Sequence, residues 1–172
     1  MLIRLLSVII MLFFFSCGSD TGQDKAHSRP GRKDMETLNR YMVQKDRERI
    51  GNYIERKNLK MTELKSGLWY QIISEGEGPQ FTDNSKIVFE YECSLLNGEL
   101  CYTSARTGPK EIILGRSEIE AGLNQGLRLM KPGGRALFII PPFLAYGLKG
   151  DGNKIPPRAV IVYNISVLSN VN

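Results

Sequence analysis

Lys131-Pro132-Gly133-Gly134-Arg135-Ala136-Leu137-Phe138-Ile139-Ile140-Pro141-Pro142-Phe143-Leu144-Ala145-Tyr146-Gly147 is the stretch that decides the fold. Its first four residues stop a helix, because proline lacks a backbone donor and glycine resists helical order. The run 135–140 that follows is apolar and β-branched, the composition of a strand. Just before the stretch, Ile119, Leu123, Leu127 and Met130 recur at helical spacing, which predicts one short helix over 119–130. Just after it, 160–168 reads as a second apolar strand. Further out, 67–73, 86–95, 99–103 and 111–114 read as strands, and Asn97-Gly98 turns the second of these back into the third. The sum is an α+β domain: a curved antiparallel β-sheet wrapped around one short α-helix.

A chain of 172 residues and 19.4 kDa has room for that domain and an appendage. With 23 Lys and Arg against 18 Asp and Glu, the net charge is +5. The cations are interleaved with carboxylates and no basic-aromatic face stands out, which argues against a nucleic-acid partner. One His and three Cys exclude zinc fingers, di-zinc sites and disulfide scaffolds. The single His27 lies in a polar stretch, so neither a metal site nor histidine-based nucleophilic catalysis is expected.

Residues 1–17 form the layout of an export signal: Arg4, an apolar run over 5–15, then Ser16 and Cys17. The run falls short of the ~20 residues that span a bilayer. Phe14-Phe15-Ser16-Cys17 resembles a bacterial lipobox, with Phe14 where Leu or Val is usual. That resemblance implies lipidation of Cys17 and a membrane anchor; an ordinary signal peptide or signal anchor is the alternative. Gly18, rather than Asp, after the cysteine implies the outer membrane, facing the periplasm. Residues 18–33 contain a single aliphatic residue, Ala26, and read as a flexible tether.

Over 34–65 lies a helical extension. Leu38, Tyr41, Met42, Ile50, Tyr53 and Ile54 make an apolar face, interrupted around Lys45 and Asp46, with Asp34 as the cap. The 34–58 helix either docks on its own domain or serves as a dimer or partner surface.

Cys93 and Cys101 flank the Asn97-Gly98 turn. A three-residue loop sets them opposite one another, within reach of a disulfide at a non-hydrogen-bonded pair. A two-residue turn points them to opposite faces.

The 131–147 stretch, Leu114-Gly115-Arg116-Ser117-Glu118-Ile119-Glu120-Ala121-Gly122-Leu123, and Lys154-Ile155-Pro156-Pro157-Arg158-Ala159-Val160-Ile161-Val162-Tyr163 together resemble the FK506-binding-protein (FKBP) family of peptidyl-prolyl isomerases. The matching order runs from about residue 66, giving a 66–172 domain. The overall layout is similar to gliding-motility-associated isomerase lipoproteins. The resemblance implies a pocket between sheet and helix and rotation of Xaa-Pro amides without cofactor or metal. It implies that the Tyr146 hydroxyl and the Glu120 backbone N–H donate to substrate carbonyls, with Tyr91 as the pocket tyrosine. Ile119, Leu123, Ile155 and Tyr163 would be apolar walls, Leu123 replacing a usual Trp and Tyr163 a usual Phe. Cys101-Tyr102 stands in place of Phe-Asp, so the pocket carboxylate is lost, and Arg106 is the nearest candidate for the Arg that it faces. Lys110 replaces an aromatic. Proline-containing polypeptides are the implied partners. Two readings follow: a lipid-tethered isomerase that assists folding of exported proteins, or a degenerate domain kept as a binding module in an envelope or motility machine.

Overall fold

A computed structural model describes residues 31–169. The export signal, Cys17, His27 and most of the tether lie outside them. The chain divides into two units, Met1–Glu36 and Thr37–Asn172. Of the first, the described part is the opening turn of helix α1 (Arg32–Lys57). There Asp34 Oδ2 accepts the Gly31 N–H at 3.1 Å. Asp34 thus sits inside the helix and reaches back, instead of standing before the helix as its cap.

The second unit is built on a seven-stranded antiparallel sheet. Its strands are β1 (Thr62–Glu63), β2 (Trp69–Ser74), β3 (Lys86–Leu95), β4 (Leu100–Thr103), β5 (Lys110–Ile113), β6 (Arg135–Ile140) and β7 (Ile161–Val167). Their order is β1-β2-β6-β7-β3-β4, with β5 also on β3. β4 and β5 therefore share one flank of β3, separated by the short helix α2 (Ser104–Thr107), which Thr103 caps by accepting the Ala105 N–H. Helix α3 (Ala121–Leu127) is shorter than its periodicity suggests. Beyond it the Leu129 and Met130 N–H groups bond three residues back, tightening the chain into a turn.

Alternation explains which face each strand buries. On β6, Ala136, Phe138 and Ile140 face inward, and on β7 Ile161, Tyr163, Ile165 and Val167 do the same. They meet Leu123 and Leu127 of α3 in the main core. Ile139 and Val162 point the other way, into a second cluster with Ile50 of α1, joined by Tyr53, Ile54 and Trp69. Both faces are covered at this end of the sheet, so the 135–140 run reads as continuous rather than alternating.

Helix α1 from residue 37 onward docks on its own domain, the first of the two roles expected for it. Ile50 is fully buried, while Leu38 and Tyr41 from the same apolar set stay exposed. The interruption in that face is itself buried: Asp46 is 3% exposed and pairs with Arg158 at 2.8 Å.

The hairpin loop closes over three residues, Leu95 N–H bonding to Glu99 O. A bulge at Cys101 then shifts the register, so Cys93 pairs with Tyr102 and Ser94 with Leu100. Both cysteines are buried and free. The bulge, which no turn rule anticipates, removes the direct Cys93–Cys101 pairing on which a cross-strand disulfide depended.

Candidate functional site

Helix α3 begins against the inner face of the sheet, and Glu120 is the residue just before it. A residue at this position normally caps the helix with its side chain. Glu120 makes no such bond. Its carboxylate turns inward and is 8% exposed. Oε1 accepts the Tyr163 hydroxyl at 2.8 Å and also the Tyr146 hydroxyl. Tyr163 comes from β7 and Tyr146 from the loop after the 3-10 turn Pro142–Leu144, so three separate elements converge on one oxygen. The other oxygen, Oε2, is buried and has no hydrogen-bond partner.

Both phenols are held above the usual tyrosine pKa, by burial first and by the neighbouring Glu120 carboxylate. They act as donors and not as phenolates. The Tyr91 ring lies 5.9 Å from that of Tyr163 and 6.0 Å from Phe89, continuing the aromatic wall. Leu123, Ile155 and Cys101 are buried in the same core, and Cys93, behind Tyr163, has its thiol pushed by burial up to about 12. That thiol is inert at neutral pH.

A cleft of about 370 Å³ opens over this group, lined by Lys110, Glu118, Ile119, Glu120, Ala145 and Tyr146. Among the described residues no acceptor takes the Glu120 backbone N–H. Tyr102 stands to one side and donates to Asp151 Oδ2, with the Lys154 ammonium 5.5 Å above its ring. Asp151 also accepts the Asn153 and Ile155 N–H groups, at 2.9 and 2.8 Å, and so fixes the loop that carries Ile155. Burial alone would raise the Asp151 carboxyl, but these bonds hold it below its usual value.

The structure brings Tyr146, Glu120 and Ile119 to the cleft wall, and packs Tyr91, Leu123, Ile155, Tyr163 and Cys101 in the core behind it. It does not bring in Arg106, which is exposed on α2 and does not line the cleft. Without a carboxylate at 102, nothing draws that arginine inward. Sequence reasoning missed the Glu120 side chain, assigning this residue a backbone role alone. The signal was Tyr163: a hydroxyl added at a buried ring position requires an acceptor. Among the described residues no group of three or more His, Cys, Asp or Glu is placed to hold a metal ion.

The domain is thus an antiparallel sheet with one short helix packed on its inner face and a cleft at that helix's start. Residues 78–168 match the family model of the FKBP-type peptidyl-prolyl cis-trans isomerases. The chain is 36% identical over 103 residues to a probable FKBP-type isomerase, FkpA, of Neisseria meningitidis, covering 60% of this chain and 38% of that one. It is 34% identical over 121 residues to FkpA of Buchnera aphidicola, covering 70% and 48%. Among solved structures, FkpA from Escherichia coli aligns with a TM-score of 0.61 at 25% identity, covering 82% of this chain and 73% of that one. AtFKBP13 aligns with the same score at 29% identity, covering 65% and 99%. The chain belongs to the FKBP-type peptidyl-prolyl cis-trans isomerase family. It spans less than half the length of the curated relatives named here.

Proposed function

We propose that this chain is a peptidyl-prolyl isomerase acting on proline-containing segments of exported polypeptides. It works in the bacterial envelope, tethered through lipidated Cys17 to a membrane, the outer one on its periplasmic side. Rotation about an Xaa-Pro amide faces a barrier of ~18–20 kcal/mol and takes tens to hundreds of seconds unaided. No bond breaks, so no nucleophile or metal is required. A twisted amide has lost resonance and carries less charge separation than a planar one. It therefore loses less on entering an apolar site, and Ile119, Ala145 and the Tyr146 ring are the apolar part of the cleft wall.

The observation that carries this reading is the free Glu120 N–H beside the Tyr146 hydroxyl, two donors at one cleft. The test is catalysed cis-trans exchange of Xaa-Pro tetrapeptides by the full chain in mild detergent, beside Tyr146→Phe. Loss of one hydrogen bond to the rotating amide lowers kcat/KM about tenfold. Wild type no faster than buffer, while folded, ends the catalytic reading.

A binding module is the second reading. One observation favours it: the Tyr146 hydroxyl already donates to Glu120, so a substrate carbonyl has to compete for it. The same assay separates the two.

The tether is tested by fractionation. Cys17→Ser moves the chain out of the membrane fraction and abolishes incorporation of labelled fatty acid. Unchanged labelling would place the lipid elsewhere.

A further inference from the structure

The Tyr146 hydroxyl carries one proton, and that proton goes to Glu120 Oε1. A bond to a charged acceptor is about twice as strong as one to a neutral carbonyl. In the free protein the hydroxyl is therefore committed to the carboxylate. A substrate carbonyl obtains it only by taking it away.

The stability of the fold does not call for this arrangement. Glu120 is 8% exposed and Tyr163 4% exposed. Tyr163 donates to the same Oε1 at 2.8 Å, and Oε2 is buried without a hydrogen-bond partner. The residue also forgoes the capping bond that its place before α3 allows. A buried carboxylate satisfied on one oxygen only is unfavourable, whereas an apolar pair of the same shape at 120 and 163 leaves nothing unsatisfied. A group kept against stability calls for another reason, and its effect on its neighbours supplies one. Those neighbours are two phenols, and of the two only Tyr146 lines the cleft. Tyr163 is fixed on β7, which lies between β6 and β3 within the sheet, so it anchors the carboxylate from behind.

We propose that Glu120 is a positioning residue that, braced by Tyr163, holds the Tyr146 hydroxyl back from the peptide. The pair thereby sets the affinity of the cleft: proline segments are held more weakly, and let go sooner, than the cleft's own donors allow. This deepens the isomerase reading and rests on the cleft being the peptide site. The carboxylate acts through Tyr146 and touches no ligand.

The experiment uses the full chain in mild detergent and the peptide Ala-Leu-Pro-Phe. Binding is read by NMR titration and turnover by exchange spectroscopy on the same samples. The variant combines Glu120→Leu with Tyr163→Phe. It removes the carboxylate together with the phenol that it satisfies, and it keeps the N–H at 120. It binds the peptide about tenfold more tightly than wild type, the effect of one hydrogen bond. KM falls with Kd and changes more than kcat, because the hydroxyl grips the carbonyl before and during rotation alike. Glu120→Gln alone keeps a neutral acceptor and tightens binding by less. Adding Tyr146→Phe to the double variant cancels the gain. A pair with a merely structural role would weaken binding when removed. The proposal is overturned if the folded double variant binds no more tightly than wild type. It is equally overturned if the gain survives Tyr146→Phe, because added apolar surface is then the cause. One measurement needs no change at 120 or 163 and decides the matter should that variant fail to fold. Saturating peptide moves the carbon-13 resonance of the wild-type Glu120 carboxylate toward its position in Tyr146→Phe, as the hydroxyl leaves it. An unmoved resonance at saturation, or no binding by any form, overturns the proposal. Tighter binding by the double variant with no exchange by any form sinks the isomerase reading and leaves this one standing.

Discussion

Asp46→Ala lowers the unfolding free energy by about 2–3 kcal/mol, and Tm by roughly 5–10 °C for a chain of this size. Asp46 is 5% exposed at its side chain, and its Oδ2 lies 2.8 Å from Arg158 Nη2. Arg49 approaches Oδ1 at 3.5 Å from the same helix. Removing the carboxylate leaves the Arg158 guanidinium, 29% exposed, with its charge uncompensated against Met42 and the helix. That exposure puts the expected loss at the lower end for breaking a buried pair. The consequence reaches the cleft. The Arg158 N–H donates to Gly147 O, next to Tyr146, at 2.9 Å, and Arg158 holds a left-handed φ of 56° to do so. The pair therefore ties α1 to the loop that positions the tyrosine. Urea denaturation of Asp46→Ala, Arg158→Met and the double variant measures it. A double variant more stable than Asp46→Ala alone is the expected signature of an orphaned charge. Asp46→Ala within ~0.5 kcal/mol of wild type would mean that solvent screens the pair. The Lys45–Glu48 pair nearby is about half exposed at both partners and contributes little.

The sheet was legible because its determinants are local. Alternation, the Asn97-Gly98 turn and the Pro132-Gly133-Gly134 stop place six of its strands within a residue or two. What escaped depends on residues far apart in the chain. The gap in the α1 face reads as solvent-exposed, because Asp46 finds its partner 112 residues away. Thr62–Glu63 is too short to show a period and exists because β2 lies beside it. The bulge at Cys101 shifts the β3–β4 pairing between Cys93 and Ser94, and it decides the register of both cysteines. At the site, the motif led to Ile119, Glu120 and Tyr146, which the structure places at one cleft. It could not locate the carboxylate. Glu120 and Tyr163 each look like harmless replacements alone, and they make sense only as a pair at 2.8 Å.

Gly122→Ala destabilises the fold by about 2 kcal/mol and loosens the cleft, against what helix propensity alone predicts. Alanine is about 1 kcal/mol better than glycine inside a helix. At Gly122, however, an added Cβ would lie 2.3 Å from Ile140 Cγ2 and 3.3 Å from Leu144 Cβ. Ile140 is β-branched, fully buried and fixed in β6, so it cannot swing aside. Gly126, one turn on, meets the Phe138 ring at 2.8 Å in the same way. These two glycines are what let α3 lie directly on β6. A methyl at 122 lifts the start of the helix, and Glu120 and Leu123 flank that position. Affinity for peptide then falls with stability. Gly51 on α1 is the internal control, because an added Cβ there meets nothing within 4 Å. There propensity decides, and Gly51→Ala raises stability by ~0.5–1 kcal/mol. Opposite signs for one chemical change separate packing from propensity. Combining Gly122→Ala with Ile140→Ala tests the contact itself, because the new methyl enters space that the isoleucine vacates. The two changes should be coupled favourably by about 1 kcal/mol. Simple additivity would mean that α3 is held off β6 by something other than this pair.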